Sequence, residues 1–390
     1  MRPSDASQAR EAILLLALAG FNAGISLRCV EPMLPKLATD FGTSVSAASA
    51  IITSFALAYA GSVLLQGPLG DRFGKLRIVT AGTALAGAVS IGCAFAWDVG
   101  SLAALRFTTG IFASSSVALG MAYIGDVVPL GERQTTVAHF IAGSLLGQTI
   151  GPLFGGALTD MLGWRATFAV LGSVFLLVSL ILFLRTAASW GPSVPGRFDP
   201  LAIHRALLSR PAVRWLAGVG VAETFLFFGA YVFLSGYFKL RFDLSFTTIG
   251  LILAGYGVGG LLYSSTARWL VPLGERGLVA AGGALGCALF LLVVLVPHWA
   301  YAIPCTVGLG LAFYLIHNTV QTRATEVAPD ARGSAVALYA SAWAAGQALG
   351  VAAMGLAVSV FGYAPMIAVF GLGFGVLGLW LRSNLPRLRP

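Results

Sequence analysis

The chain predicts an all-α integral membrane fold of twelve transmembrane helices in two pseudo-symmetric six-helix bundles. Composition is the first reason: 57% apolar residues, 10% charged residues and 15 acids in 390 positions leave too little polar surface to coat a water-soluble globule. The second is a series of apolar runs, each near the ~20 residues that a helix needs to cross a hydrocarbon core. The third is an internal repeat at an offset of 199 to 200 residues.

In chain order the runs cover 12–36, 45–66, 78–97, 101–125, 136–158 and 165–185, then 212–238, 246–267, 277–297, 299–322, 334–359 and 364–381. The first run follows the polar stretch Met1 to Glu11 and continues through Arg28 and Glu31 without a small-residue cleavage site, so it predicts a retained helix. An even number of crossings puts both termini on one side. With that side cytoplasmic, 18 of the 24 basic residues fall in cytoplasmic segments. Four (Lys36, Arg165, Lys239, Arg241) lie outside, and Arg28 and Arg106 lie within helices. The formal charge of +9 is thus a topology signal and argues against a nucleic-acid partner. Cys29, Cys93, Cys287 and Cys305 lie in apolar runs without paired spacing, which predicts packing residues and no disulfide or metal site.

The repeat sets the organisation. Asp126, Pro129, Arg133, Gly147, Gln148, Gly151, Gly156 and Gly163 are answered by Glu326, Pro329, Arg332, Gly346, Gln347, Gly350, Gly355 and Gly362. This predicts an N-terminal bundle over 1–185, a cytoplasmic linker over 186–210 rich in proline and charge, and a C-terminal bundle over 211–390.

The segment from Gly67 to Arg77 carries Asp71, Arg72, Lys75 and Arg77 between two apolar runs, with Gly74 at its centre. Such charges do not face lipid. The spacing of Gly67, Asp71, Arg72, Gly74 and Lys75 resembles the loop between the second and third helices of major facilitator superfamily transporters. Its copy in the second half has Val271, Gly274, Glu275 and Gly277 in the places of Asp71, Gly74, Lys75 and Arg77. The charge logic is expected to be lost there, which places the latch in the first half.

The fifth run holds Gly143, Gly147, Gly151, Pro152, Gly155 and Gly156, glycines at four-residue spacing with a proline inside the helix. Small residues let a partner backbone approach, and proline frees a carbonyl and kinks the helix. This run resembles the antiporter motif of the family's twelve-helix drug:proton antiporters. Arg106 followed by Gly110 resembles the family's fourth-helix motif, with Thr109 where glutamine is usual. The segment from Ser26 to Pro35 is similar to the first helix of multidrug efflux members.

The resemblance implies the major facilitator fold, no cofactor, and a proton gradient as energy source. It further implies a monomer in the cytoplasmic (inner) membrane, with a small-molecule substrate, protons and the bilayer as partners. A relay of Asp71, Arg77 and Asp126 is implied to latch the cytoplasmic side, with Asp71 near the start of the eleventh helix. No phosphate-binding Gly-Lys-Ser/Thr loop or nucleophile elbow is present in the sequence, so neither ATP hydrolysis nor membrane-embedded catalysis is expected.

Two acids lie well inside spans. Glu31 shares a helical face with Arg28 and lies at the depth of Arg106, which predicts either a fixed ion pair or a carboxylate that loads and releases a proton. Glu223 stands near the midplane with no basic residue in its span beyond Arg214 at the start, the sequence's best candidate for the proton carrier. Asn22, Tyr231, Tyr256, Tyr314, Gln148, Gln347 and Trp343 are candidate cavity residues, whereas His317 and Asn318 are expected near the interface. The expected function is proton-coupled export of amphipathic drug-like molecules. The alternative is export of one endogenous compound, such as a sugar, nucleoside or metallophore.

Overall fold

The computed structural model describes residues 3–190, 200–328 and 331–385. Five helices make the first three crossings: α1 (Pro3–Arg28), α2 (Val30–Asp40), α3 (Val45–Ala48), α4 (Ala50–Phe73) and α5 (Lys75–Cys93). The next three crossings use α6 (Val99–Ala113), α7 (Ser115–Val127), α8 (Leu130–Leu162) and α9 (Trp164–Thr186). After α10 (Pro200–Leu208) come α11 (Pro211–Phe242), α12 (Phe246–Leu270), α13 (Gly274–Val293), α14 (Ala302–Ala324), α15 (Arg332–Phe361) and α16 (Tyr363–Asn384). Eleven stretches are long and apolar enough to cross a membrane, and one of them, Phe246–Val293, contains both α12 and α13, so the chain crosses twelve times.

The bounds follow local chemistry. α1 and α2 form one crossing divided only at Cys29, and α6 and α7 form another divided at Ser114. Asp98 caps α6 by accepting the Ser101 N–H at 2.6 Å, and these hydrogen bonds hold its carboxyl below the usual aspartate range. Consecutive spans join through single glycines at positive φ: Gly74 (92°), Gly163 (83°), Gly274 (69°) and Gly362 (80°). Those four are repeat mates, the first with the third and the second with the fourth. α8 runs unbroken through Pro152. Part of the expected linker, 191–199, lies outside the described residues, and the part from Pro200 to Leu208 is helical.

The faces turned away from the protein carry exposed Leu14, Leu57, Leu177, Leu180, Leu184, Leu356 and Val360, apolar surface suited to lipid. Inside each half, α1 packs on α8 and α11 on α15. These contacts are made backbone to backbone. A Cβ built on Gly147 or Gly155 would stand 2.0 Å from the carbonyl oxygen of Phe21 or Cys29, and one on Gly151 or Gly143 would stand 3.1 Å from that of Ile25 or Ala17. The second half repeats the arrangement, with Gly346 over Val221 and Gly350 over Phe225, both at 2.3 Å. Between the halves α8 packs on α12 and α4 on α15. The α8–α12 seam is again glycine-lined: Gly156 meets the Phe246 carbonyl, Gly250 that of Pro152, and Gly257 the Thr149 hydroxyl.

Candidate functional site: a central cavity and its buried charges

A cavity of about 240 Å³ lies between the halves. Its wall comes from α1, α4, α7 and α8 on one side and from α12, α14 and α15 on the other. Met121, Ile141, His317, Gln321 and Tyr339 all belong to the helix portions nearer the face that bears the chain termini, so the cavity lies on that side of the midplane. At the opposite, far face the halves are joined. The Asp160 carboxylate accepts the Phe246 N–H (3.2 Å), the Thr247 N–H (2.7 Å) and the Thr247 hydroxyl (2.6 Å), capping α12 from the other half.

The lining is aromatic and amide-rich, with Tyr59, Tyr256, Phe313, Tyr314, Tyr339 and Trp343 beside Gln148, Asn318 and Gln321. No Asp, Glu, Lys or Arg appears among the described lining residues; the one imidazole is His317. This corrects the expectation of an interfacial His317: α14 continues to Ala324, two turns further, which sets residue 317 inside the wall.

His317 also corrects the reading of Glu223 as unaccompanied. The carboxyl is fully buried behind the cavity wall, where Oε1 lies 2.8 Å from His317 Nδ1 and accepts a hydrogen bond from the Tyr339 hydroxyl at 2.7 Å; when the carboxylate is charged, Nδ1–H is the donor. The Tyr339 hydroxyl and His317 Nδ1 are 3.2 Å apart, closing a triangle across α11, α14 and α15. A buried carboxylate is tolerated only with such donors. His317 stacks on Phe313, with centroids 5.0 Å apart, which fixes the ring.

The second buried acid stands beside the arginine that shares its helical face, the contact on which both readings of Glu31 rested: Arg28 Nη1 lies 2.6 Å from Glu31 Oε1, both fully enclosed. The guanidinium stands 4.1 Å from the Phe228 ring centre and 4.6 Å from that of Tyr256, so it joins α1 to α11 and α12. Arg106 does not complete this cluster. It donates to the Ser26 hydroxyl (3.0 Å) and carbonyl (2.7 Å) and lies 4.1 Å from the Phe55 ring centre, because α6 meets α1 one turn nearer the terminal face than Glu31.

Of the other candidates, Tyr256, Gln148, Trp343 and Tyr314 line the cavity. Tyr231 lies behind it and donates to the Leu253 carbonyl at 2.7 Å. Asn22 and Gln347 are buried, and neither amide has a hydrogen-bond partner among the described residues.

The latch is built around Lys75. Its ammonium lies 3.0 Å from Asp71 and 2.7 Å from Asp126, whereas Arg77 turns to Trp190, 5.5 Å from the ring centre. The described ion pairs of Asp71 and Asp126 thus run to Lys75, one helical turn from Asp71 and a residue the expected relay left out. Arg72 lies over Phe73. Space around Gly67 is open, and Gly74 supplies the positive φ that starts α5. α15, whose start was expected near Asp71, begins at Arg332 and packs on α4, and residues 329 and 330 before it lie outside the described residues. The second half keeps a latch, contrary to expectation. Glu275, repeat mate of Lys75, pairs with Arg323, which also reaches Glu326 at 3.3 Å.

Twelve crossings enclosing a cavity sealed at one face define a membrane transporter. The chain belongs to the Major Facilitator Superfamily, whose family model matches residues 16–350. It is 28% identical to puromycin resistance protein pur8 of Streptomyces alboniger over 385 residues, covering 83% of this chain and 76% of the relative. It is 29% identical to efflux pump radE of Floropilus chiversii over 160 residues, 41% of this chain and 30% of that one. The match to the uncharacterized transporter EfpA of Mycobacterium tuberculosis (strain H37Rv) is 34% identical over 155 residues, 40% of this chain and 29% of the relative. The chain thus spans about a third of the length of these last two. Crystal structures of a bacterial homolog of the human lysosomal transporter Spinster, inward-facing and either unoccupied or occupied, share the fold with TM-scores of 0.76 each. Their sequence identities are 16% and 18%, and they cover 100% and 98% of this chain and 99% and 98% of theirs.

Proposed function

We propose that the protein is a proton-coupled exporter of small amphipathic molecules that works by alternating access. The observation that carries this reading is the Glu223–His317 pair in the wall of an aromatic cavity without fixed charge. An apolar, aromatic wall with a few amides suits amphipathic compounds of varied shape, and a buried acid with a single imidazole partner is a group able to exchange one proton. One relative is named a puromycin resistance protein and another an efflux pump, which supports a reading of export. In this reading the bundles over 1–185 and 211–390 rock about the cavity while 186–210 links them. The terminal face is cytoplasmic in the inner membrane, and the protein works as a monomer without a cofactor.

The first test is transport of ethidium and puromycin into proteoliposomes under an imposed pH gradient, for the native protein and for Glu223→Gln. Gradient-driven accumulation is expected in the native protein and at least tenfold less in the variant. Native transport indifferent to the gradient, or full coupling in Glu223→Gln, overturns the assignment.

A further inference from the structure

Glu223 has no surface on the cavity, so its proton must pass through a neighbour. The side chains in hydrogen-bond contact with it are His317 and Tyr339, and both line the cavity. A phenol is a poor proton carrier near neutral pH, whereas imidazole accepts at one nitrogen and donates from the other. His317 Nδ1 is engaged with the carboxylate. Nε2 is absent from the buried unpartnered atoms and is the nitrogen left for the cavity.

We propose that Glu223 exchanges its proton with the cavity through His317, and that Tyr339 is a positioning residue that holds the carboxylate in line. In the loading step a hydronium ion in the cavity gives a proton to Nε2, forming the Nε2–H bond and leaving water. The Nδ1–H bond then breaks as its proton passes to Glu223 Oε1. The ring ends as the neutral Nε2–H tautomer and the carboxyl is neutral, donating back to Nδ1. One proton has entered and nothing is oxidised or reduced. Release retraces the steps, so the ring needs no rotation between cycles.

The surroundings fit this role. The other ionisable groups on helices packed on α11 are Tyr256, Tyr263 and Arg268 on α12, Tyr314 beside the His317 ring and Arg323 paired with Glu275 on α14, Glu31 paired with Arg28 and Lys36 paired with Asp40 on α2, His204 bonded to the Leu64 carbonyl and Arg205 on α10, and Tyr363 and Arg382 on α16. None of them hydrogen-bonds Glu223. Phe313 and Tyr339 sandwich the imidazole at 5.0 and 5.8 Å, which holds Nδ1 on the carboxylate. Tyr339 is itself seated by Gly220, where a Cβ would stand 2.9 Å from its ring.

The relay rests on the proton-coupled reading only for its place in transport, and its chemistry is testable without a substrate. Infrared pH-jump spectroscopy on the purified protein, with Glu223→Gln as reference, isolates the band of the protonated Glu223 carboxyl. In His317→Asn, whose amide can keep a hydrogen bond to Glu223 but has no second nitrogen to load, the band is expected to form at least tenfold more slowly. In Tyr339→Phe it is expected to form quickly, at a shifted and broader frequency because the carboxyl has lost a hydrogen-bond partner that held it in one orientation. Native-rate protonation in His317→Asn overturns the relay, and a band of native frequency and width in Tyr339→Phe overturns the positioning role. Should the band behave as expected while no pH gradient drives ethidium or puromycin, the relay stands and the proposed function falls.

Discussion

Asp160 and Thr247, 87 residues apart in sequence and on opposite halves, share two hydrogen bonds: the Thr247 N–H and its hydroxyl both donate to Asp160 Oδ2. The same carboxylate satisfies the first turn of α12, so helix capping and closure of the far face are one interaction. Any motion that opens that face must uncap α12 and leave its first N–H groups to water.

The first prediction follows from that cap. Losing an N-cap acid costs about 1 kcal/mol, roughly a fivefold change in an equilibrium. Asp160→Ala is expected to shift the protein towards the far-open state. Spin labels at Met161 and Leu240 should report a longer-distance population several times larger than in the native protein. An unchanged distribution would show that the glycine seam alone holds the face shut.

A second prediction concerns the ladder on α8. Gly147 leaves no room for any Cβ against the Phe21 carbonyl, whereas Gly143 keeps 3.1 Å to that of Ala17. Gly147→Ala should reduce transport at least tenfold in protein that still inserts, and Gly143→Ala should stay within about twofold, since overpacking of ~1–3 kcal/mol arises only where the backbone cannot yield. Equal tolerance at the two sites would remove the ladder from the mechanism.

The two latches make a third. Lys75 stands between two acids, and Arg323 between Glu275 and Glu326, with the acid Glu275 at the repeat position of the cation Lys75. Lys75→Glu places three acids together and should lower transport several-fold, while Lys75→Glu with Asp126→Lys should recover most of it. These half-exposed pairs contribute about 1 kcal/mol or less. A double exchange no better than the single one would argue against a pairwise role.

Fourth, Glu31→Gln leaves Arg28 enclosed without an anion, a change that typically costs about 3–5 kcal/mol. A large fall in the melting temperature of the detergent-solubilised protein is expected, and replacing Arg28 with Met in the same variant should restore much of it. A Glu31→Gln protein as heat-stable as the native one would mean that Arg28 has found water.

The spans, the two halves, the glycine ladder and the Arg28–Glu31 pair were legible because each rests on contacts between near neighbours in sequence or on a repeated pattern. The site's central triangle was not. His317 and Tyr339 stand 94 and 116 residues from Glu223, and nothing in either local sequence marks it as a partner. Asp160 escaped notice for a similar reason, since a lone acid at the end of an apolar run reads as an ordinary helix end until α12 is placed beside it. The acid Glu275 at the repeat position of Lys75 did leave a trace in the repeat. A search for identical charges passes over it, and a search for complementary ones would not.

The α8–α12 seam carries a consequence of another kind. Where Gly156, Gly250 and Gly257 meet main chain or a threonine hydroxyl, parting the seam wets amide and hydroxyl groups. Hydration of apolar surface raises heat capacity and that of polar surface lowers it. A hinge sealed this way should open with a small heat-capacity change, and the balance between its two states should drift little as the cell warms or cools.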